Sequence, residues 1–580
     1  MRTIFSRADH VHIWLGPGSN DTDKAMDFAS RVGPRALAVG VLDLWSNWQL
    51  YKQVTDYLKA LASSCEVGVQ DRNDESSIAA RELADFIFDF LHDPDLQKGA
   101  MLETRSPKNA YENLKENSLA KGITDLMQRE YWHRIWIIQE ISLAHEATIL
   151  CGEKAIPIEI FDATFSAVSL CINLSFHSIF PWARNFSYLL PANFYESIAL
   201  TTRRIHRRQD RSEMIKLSGV LFRFGLPPGR PHYSATDDRD ILFGLLGIVT
   251  DGEALGLRVD YNMTVAEVFT ATTRALICDE NKGSGPLVYQ LDQCVPRQRG
   301  DPPFDSLPSW VPEWQVIGKR GVQVNPINYF GAFNATAGMS PPRPRNGGED
   351  DSRGILRYPG CRVDVITAVM QPPQWEQHDE WTLSWIVDAE GWLDSICDFA
   401  KLAPESGPGE DYVWRTIMRD FSGISHRPSR FNTISEEEAS ITRKIMRRAP
   451  IALEALTSTE RDYVHYLRDI LDYPTYEQLN SETINELEYI LKKWPQAIGS
   501  INRGRTLFKT TNAMFGLGHV AIRPGDVVTL LWGLRSPIIL RPRDYRDGGG
   551  FTFVGDAYVD GIMYGEFLET APAHEDFEIY

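Results

Sequence analysis

The sequence predicts an α/β layer, then a large mainly helical middle, then a small β-rich end: fold class α/β plus α. Three observations carry this prediction. Strand-like and helix-like patterns alternate over residues 1–155, helical spacing dominates 156–500, and short apolar runs punctuated by glycine fill 501–580.

In chain order, Val11-His-Ile-Trp-Leu15 reads as a short strand, reached within a dozen residues of Met1. Gly16-Pro-Gly-Ser-Asn-Asp21 breaks it, and a helical pattern begins over Lys24–Arg31. Ile78, Leu83, Phe86, Ile87, Phe90 and Leu91 recur at helical spacing and predict an amphipathic helix. Tyr131–Ala144 predicts another, and Ala147-Thr-Ile-Leu-Cys151 before Gly152 reads as a strand closed by a turn. In the middle, a Pro/Gly-rich stretch near 226–240 separates two helices, and 340–354 (SPPRPRNGGEDDSRG) reads as a flexible loop. A second helical block covers about 383–500. The β-type runs after 501 predict a small sheet or barrel-like unit, with Arg523-Pro-Gly-Asp526 as a turn. The acidic ending Glu575–Tyr580 reads as a solvated tail.

Composition limits the function classes. At 43% hydrophobic and 24% charged residues, wholesale disorder is excluded. Sixty basic against 78 acidic residues leave a net charge of −18, which argues against dedicated nucleic-acid binding. The 7 cysteines are scattered without a C-x-x-C pair, so neither a zinc site nor a disulfide framework is expected. No apolar leader and no run long enough to span a membrane occur, so a cytoplasmic protein is expected.

The most informative segment is Tyr131-Trp-His-Arg-Ile-Trp-Ile-Ile-Gln-Glu140. On one helix, Trp132, Ile135, Trp136, Gln139 and Leu143 would share a stripe, while Ile137, Ile138 and Ile141 make the other sides apolar. Gln139 and Glu140 would then sit where polar groups need partners. Arg134 is one candidate partner, although it faces elsewhere on the helix. Glu140 is either a site carboxylate with a shifted pKa or a structural one paired with an arginine or backbone amides, and the structural reading is favoured. Gly16–Asp21 invites a phosphate-loop reading, but it lacks the glycines and lysine of such loops, so a capped helix start is favoured. His10 and His12 share a strand face without a third ligand nearby, so no metal site is expected. Arg203, Arg204, Arg207, Arg208 and Arg211 form a basic helix face, read as solvated rather than phosphate-binding.

These motifs resemble a known family. Ala8-Asp-His-Val with Trp14-Leu-Gly16, the segment Trp132-x-Arg-x-Trp-x-x-Gln-Glu140 and Cys151-Gly152 look like the later part of a fungal heterokaryon incompatibility (HET) domain. Further matches follow in the family's order: Thr236-Asp-Asp-Arg-Asp240 with Leu245-Leu-Gly247, Val259-Asp-Tyr261, Leu307-Pro-Ser-Trp-Val-Pro-Glu-Trp314, Gly525-Asp526, and Tyr558-Val-Asp-Gly-Ile-Met-Tyr-Gly-Glu566. The family's opening S-Y-x-W-G and W-I-D-x-I-C-I-N-Q segments do not occur here. The expectation is that about the first third of the domain is missing, as in a truncated gene model or a degraded copy.

The resemblance implies a non-self recognition protein that triggers programmed cell death when unlike hyphae fuse, with protein partners or self-association. It also implies a TIR-like, flavodoxin-like α/β layer, here truncated. Some TIR domains cleave NAD with a glutamate, so one alternative is an NAD glycohydrolase using Glu140, with Trp136, Gln139 and Arg134 in support. NAD would then be a substrate; no cofactor and no metal are otherwise expected. Another alternative is a degraded, inactive relative. For this chain no enzymatic activity is expected.

Overall fold

The computed structural model describes residues 2–44, 47–63, 75–96, 117–176, 200, 203, 216–224, 233–277, 307–314, 333–339, 354–371, 395–396, 398–401, 411–419 and 504–580. The chain divides into two units, Met1–Phe224 with Gly229–Glu253, and Ala254–Tyr580 with Gly225–Pro228. Both helix and sheet are present, and the C-terminal sheet has seven strands.

The first unit begins with α1 (Arg2–Arg7) and the short strand β1 (His10–Trp14). β1 runs parallel to β2 (Glu146–Cys151), with Ile13 opposite Ile149, and β2 turns at Gly152 into antiparallel β3 (Lys154–Pro157). Alternation puts Ala147, Ile149 and Cys151 of β2 on the buried face. Between β1 and β2 lie α2 (Asn20–Ala38), α3 (Val41–Leu44), α4 (Trp48–Ser63), α5 (Glu75–Leu91), α6 (Ser118–Gln128) and α7 (Ile137–Leu143). After β3 come α8 (Ile158–Phe176), α9 (Leu217–Phe224) and α10 (Asp240–Leu246).

Helix α2 begins where its sequence provides a cap. The Ser19 side chain accepts from the Thr22 N–H, and Thr22 returns the bond to the Ser19 N–H, so the Gly16–Asp21 turn is filled by its own cap. Its buried stripe of Ala25, Met26, Phe28, Ala29, Val32 and Ala36 packs between α6 and α8. Phe28 also meets Phe90 of α5 edge-on, with ring centres 5.9 Å apart. Each fully buried side chain of this size is worth roughly 1.5–3 kcal/mol.

The expected continuous helix over Tyr131–Ala144 is not formed, which corrects the single-stripe reading. Glu130–His133 is a turn of 3-10 helix, Arg134 is extended (φ −84°, ψ 130°), and regular helix starts only at Ile137. The cause is a distant strand contact: Arg134 bridges in parallel to Ser234, whose N–H donates to the His133 carbonyl at 2.5 Å while Ile135 N–H donates to the Ser234 carbonyl at 3.1 Å. Tertiary pairing outweighs local helical preference here.

The second unit contains α11 (Val265–Ile277), β4 (Leu356–Val369), α12 (Asp411–Met418), β5 (Arg505–Thr510), β6 (Phe515–His519), β7 (Val527–Leu531), β8 (Ile538–Pro542), β9 (Phe551–Val559) and β10 (Glu575–Ile579). Six of these strands close a ring, β4–β5–β6–β9–β8–β7 and back to β4, and β10 bridges β4 to β9. Cys361, Ile366, Phe508, Val528, Leu530, Ile539, Val554 and Val559 fill the core. The Cys361 thiol is pushed up to about 11 by burial.

Two readings are corrected in this unit. Residues 356–369, placed by the sequence within the helical middle, form the 14-residue strand β4. Pro359-Gly360 interrupts its Val/Ile-rich alternation, which is why the strand signal is weak. The acidic ending is strand β10 rather than a solvated tail, with Phe577 and Ile579 fully buried and Glu575 and Glu578 turned to Arg362 and Arg357. The loop residues 340–353 and most of the 383–500 block lie outside the described residues.

Several charges of the barrel are ion-paired. Arg505 meets Asp556 at 2.6 Å, with the fully buried Arg419 guanidinium facing both. Desolvation, then repulsion by Arg505, holds Arg419 well below the usual arginine range. Asp526 of the Arg523–Asp526 turn accepts from the Arg523 N–H and pairs with Arg541 at 2.8 Å. Arg415 of α12 pairs with Asp560 at 2.9 Å. His519, pushed down to about 4 by burial and then by Arg505, accepts from the Ala521 N–H through Nδ1.

Candidate functional site

The segment singled out by sequence forms one site with a second segment far along the chain. Because Arg134 is extended, Trp136 and Gln139 project toward α10 instead of lying on one stripe with Trp132. The Trp136 indole N–H donates to Asp240 Oδ2 at 3.3 Å, and Gln139 Nε2 donates to the Gly244 carbonyl at 2.7 Å, across 104 and 105 residues. Trp132 turns the other way, donating to the Leu126 carbonyl at 2.8 Å.

Gln139 is 2% exposed, and its Oε1 has no hydrogen-bond partner among the described residues. A Cβ added at Gly247 would lie 2.5 Å from the Gln139 carboxamide. Gly247 has an ordinary φ of −73°, so glycine is needed there for space and not for backbone freedom. Gly244 stands similarly against Ile135, its notional Cβ 3.0 Å from that side chain.

Glu140 is half-buried and accepts from the Tyr131 hydroxyl at 3.1 Å. Burial first, and the Glu140 charge second, push the Tyr131 phenol far above its usual range. Tyr131 therefore stays a hydrogen-bond donor to Glu140 at any physiological pH. Arg134 is exposed and does not bond Glu140.

Arg203 is buried rather than part of a solvated basic face. It donates to the Ile141 and Ala144 carbonyls at 2.8 and 2.6 Å, at the carboxyl end of α7, and pairs with Glu159 at 2.8 Å. A cation there satisfies the last carbonyls of the helix and opposes its dipole. Arg204, Arg207, Arg208 and Arg211 lie outside the described residues. His10 contacts Thr148 Oγ1 at 2.9 Å and Glu146 at 3.4 Å, and its ring lies 4.8 Å from that of His12. Among the described residues, no group of three or more His, Cys, Asp or Glu side chains could hold a metal ion.

The arrangement thus gathers Trp136, Gln139 and Glu140, leaves Arg134 at the surface, and adds Tyr131, Asp240, Gly244 and Gly247. The Thr236–Asp240 and Leu245–Gly247 motifs were visible in the sequence. Nothing local, however, joins them to a segment 104 residues away. Chemically, the site offers two half-buried carboxylates, Glu140 held by a phenol and Asp240 by the indole, with the Gln139 amide nitrogen committed to the Gly244 carbonyl.

Comparisons with known proteins agree with the motif pattern. Residues 409–579 match the model of the Het-6 beta-barrel domain family. Along its full length the chain is 23% identical, over 596 residues and 79% of the relative, to "Heterokaryon incompatibility protein 6, OR allele" of Neurospora crassa. No solved structure matches. The two matches support a fungal HET-domain protein of the heterokaryon-incompatibility type.

Proposed function

We propose that this chain is a cytoplasmic non-self recognition protein of heterokaryon incompatibility that signals cell death through contacts with partner proteins or copies of itself, without turning over NAD. The observation that carries this reading is the commitment of the Trp136 indole and Gln139 amide to Asp240 and Gly244. In this reading the motif is a clasp that shapes the unit, and Glu140, tied to Tyr131, is part of its scaffold. The parallel β1–β2 pair with helices packed around it supports a flavodoxin-like layer of TIR type.

The test is expression in a filamentous fungus, scoring vital-dye uptake in compartments formed by fusion with a strain of different incompatibility type. Death is expected, reduced by Asp240→Ala and retained by Glu140→Gln. Nicotinamide released from NAD by the purified chain, and abolished in Glu140→Gln, would instead establish the glycohydrolase reading. A well-folded chain that neither kills nor cleaves would be a degraded relative.

A further inference from the structure

The ring of strands does not coincide with the segment that the family model matches. Five of its six strands, and β10, lie within 409–579, whereas β4 lies upstream. Without β4 the ring opens between β5 and β7, exposing two edges that sheet proteins normally cover.

β4 is paired at both ends and through its middle, with register shifts at Val363 and Thr367: Leu356–Gly360 with β10, Gly360–Val365 with β7, and Ile366–Val369 with β5. The pairing continues beyond the ladder. Ile366 N–H donates to the Asp526 carbonyl and Gly525 N–H to the Ile366 carbonyl, both at 2.8 Å, and Asp364 accepts from the Asn512 N–H at 2.8 Å. Leu356, Tyr358, Cys361 and Ile366 are buried at 3% exposure or less. The start of the strand is gripped from upstream: Trp310 donates to the Gly354 carbonyl at 2.9 Å, and Arg274 donates to the Ile355 carbonyl at 3.0 Å while lying over the Trp310 ring.

We propose that segment 409–579 presents a strand-shaped seam and that residues 356–369 of the same chain are its dedicated occupant, the two folding as one cooperative barrel. A bare seam offers only backbone donors and acceptors, which many strands satisfy. Side chains select this one. A Cβ at Gly360 would collide with the Leu530 carbonyl oxygen, so glycine lets β4 approach β7 at the crossover of its pairings. Arg362–Glu575 at 3.0 Å and Arg357–Glu578 at 2.9 Å hold its register on β10. A one-residue slip would turn Leu356 and Tyr358, which share a buried face, outward.

Hydrogen exchange read by mass spectrometry on the full chain tests this. Amides of 356–369 are expected to exchange as slowly as those of 527–531 and 551–559. In Gly360→Val, protection should fall together across 505–510, 527–531 and 551–559 by about tenfold or more, while 10–14 and 146–151 stay unchanged. The proposal is overturned if 356–369 exchanges about a hundredfold faster than 527–531 in the unsubstituted chain, a comparison that holds even where the variant fails to fold. It is equally overturned if Gly360→Val loosens 356–369 alone, or if protection of 356–369 disappears on dilution, which would assign the strand to a second copy.

Discussion

The two units hold their sheets together by different means. In the first, β1, β2 and β3 make a short layer, and the outer edges of β1 and β3 have no strand neighbour among the described residues. Its unity comes from helix packing and from side chains that tie distant segments: Trp136 to Asp240, Gln139 to Gly244, and Arg203 to the end of α7. In the second, six strands close on themselves, and the backbone ladder makes those connections. A layer tied by side chains should lose stability locally when one tie is cut. A closed ring should tolerate most surface changes but fail as a whole when a buried charge loses its counter-ion.

The sharpest test of that contrast is Asp556→Asn. It removes the carboxylate that Arg505 and Arg419 both face in the barrel core. Breaking a buried pair from one side costs about 3–5 kcal/mol, so the barrel transition in urea should move strongly while exchange in β1 and β2 does not change. A loss below about 1 kcal/mol would show that the barrel does not depend on this pair.

Next in size is a pH effect confined to the barrel. His519 titrates near 4 in the folded chain and near its ordinary 6.5 when unfolded. The unfolded chain therefore binds the extra proton first. Stability is fully present above about 6.5 and declines as pH falls toward 4, by on the order of 3 kcal/mol from this one group. In thermal melts from pH 7 to 4, the unsubstituted chain should lose stability relative to His519→Gln as the pH falls; parallel curves would refute the assignment.

In the first unit, Gly247→Ala places a methyl group where the Gln139 carboxamide lies. Overpacking of this kind costs about 1–3 kcal/mol. The expected signature is faster exchange over 134–143 and 240–247, with the barrel unaffected; simultaneous loosening of 527–531 would contradict local failure. The smallest effect belongs to Tyr131→Phe, which removes the 3.1 Å hydrogen bond to Glu140. A loss of about 1 kcal/mol is expected from denaturant midpoints, and cell death in the fusion assay should persist.

Much of this was legible along the chain. β1, α2, α5 and β2 follow from apolar spacing and from Ser19 and Gly152, because those signals are local and nothing distant opposes them. The barrel-like end was visible in short runs between glycines. The candidate site was only half visible. Trp136, Gln139 and Glu140 could be named, but the pairing of the first two with Asp240 and Gly244 could not, since a hydrogen bond across 105 residues leaves no periodic trace; Tyr131, nine residues from Glu140, would lie on the opposite face of the continuous helix that the pattern suggests. The Tyr131–Ala144 pattern misled because an apolar run of that kind fits a buried helix and a kinked, bridged segment equally well. β4 was missed for a related reason: Pro359 weakens a strand by local rules, yet its carbonyl accepts the Trp532 N–H at 3.0 Å inside a sheet.

By itself, then, the sequence determined the class of elements, the family resemblance and the residues worth watching, all of which depend on composition and short-range order. Tertiary structure alone decided which motifs are joined, where the Trp136 helix begins, and which strand closes the barrel. Those outcomes depend on side-chain and backbone donors and acceptors finding partners far along the chain, and the backbone groups among them are the same in every residue type but proline.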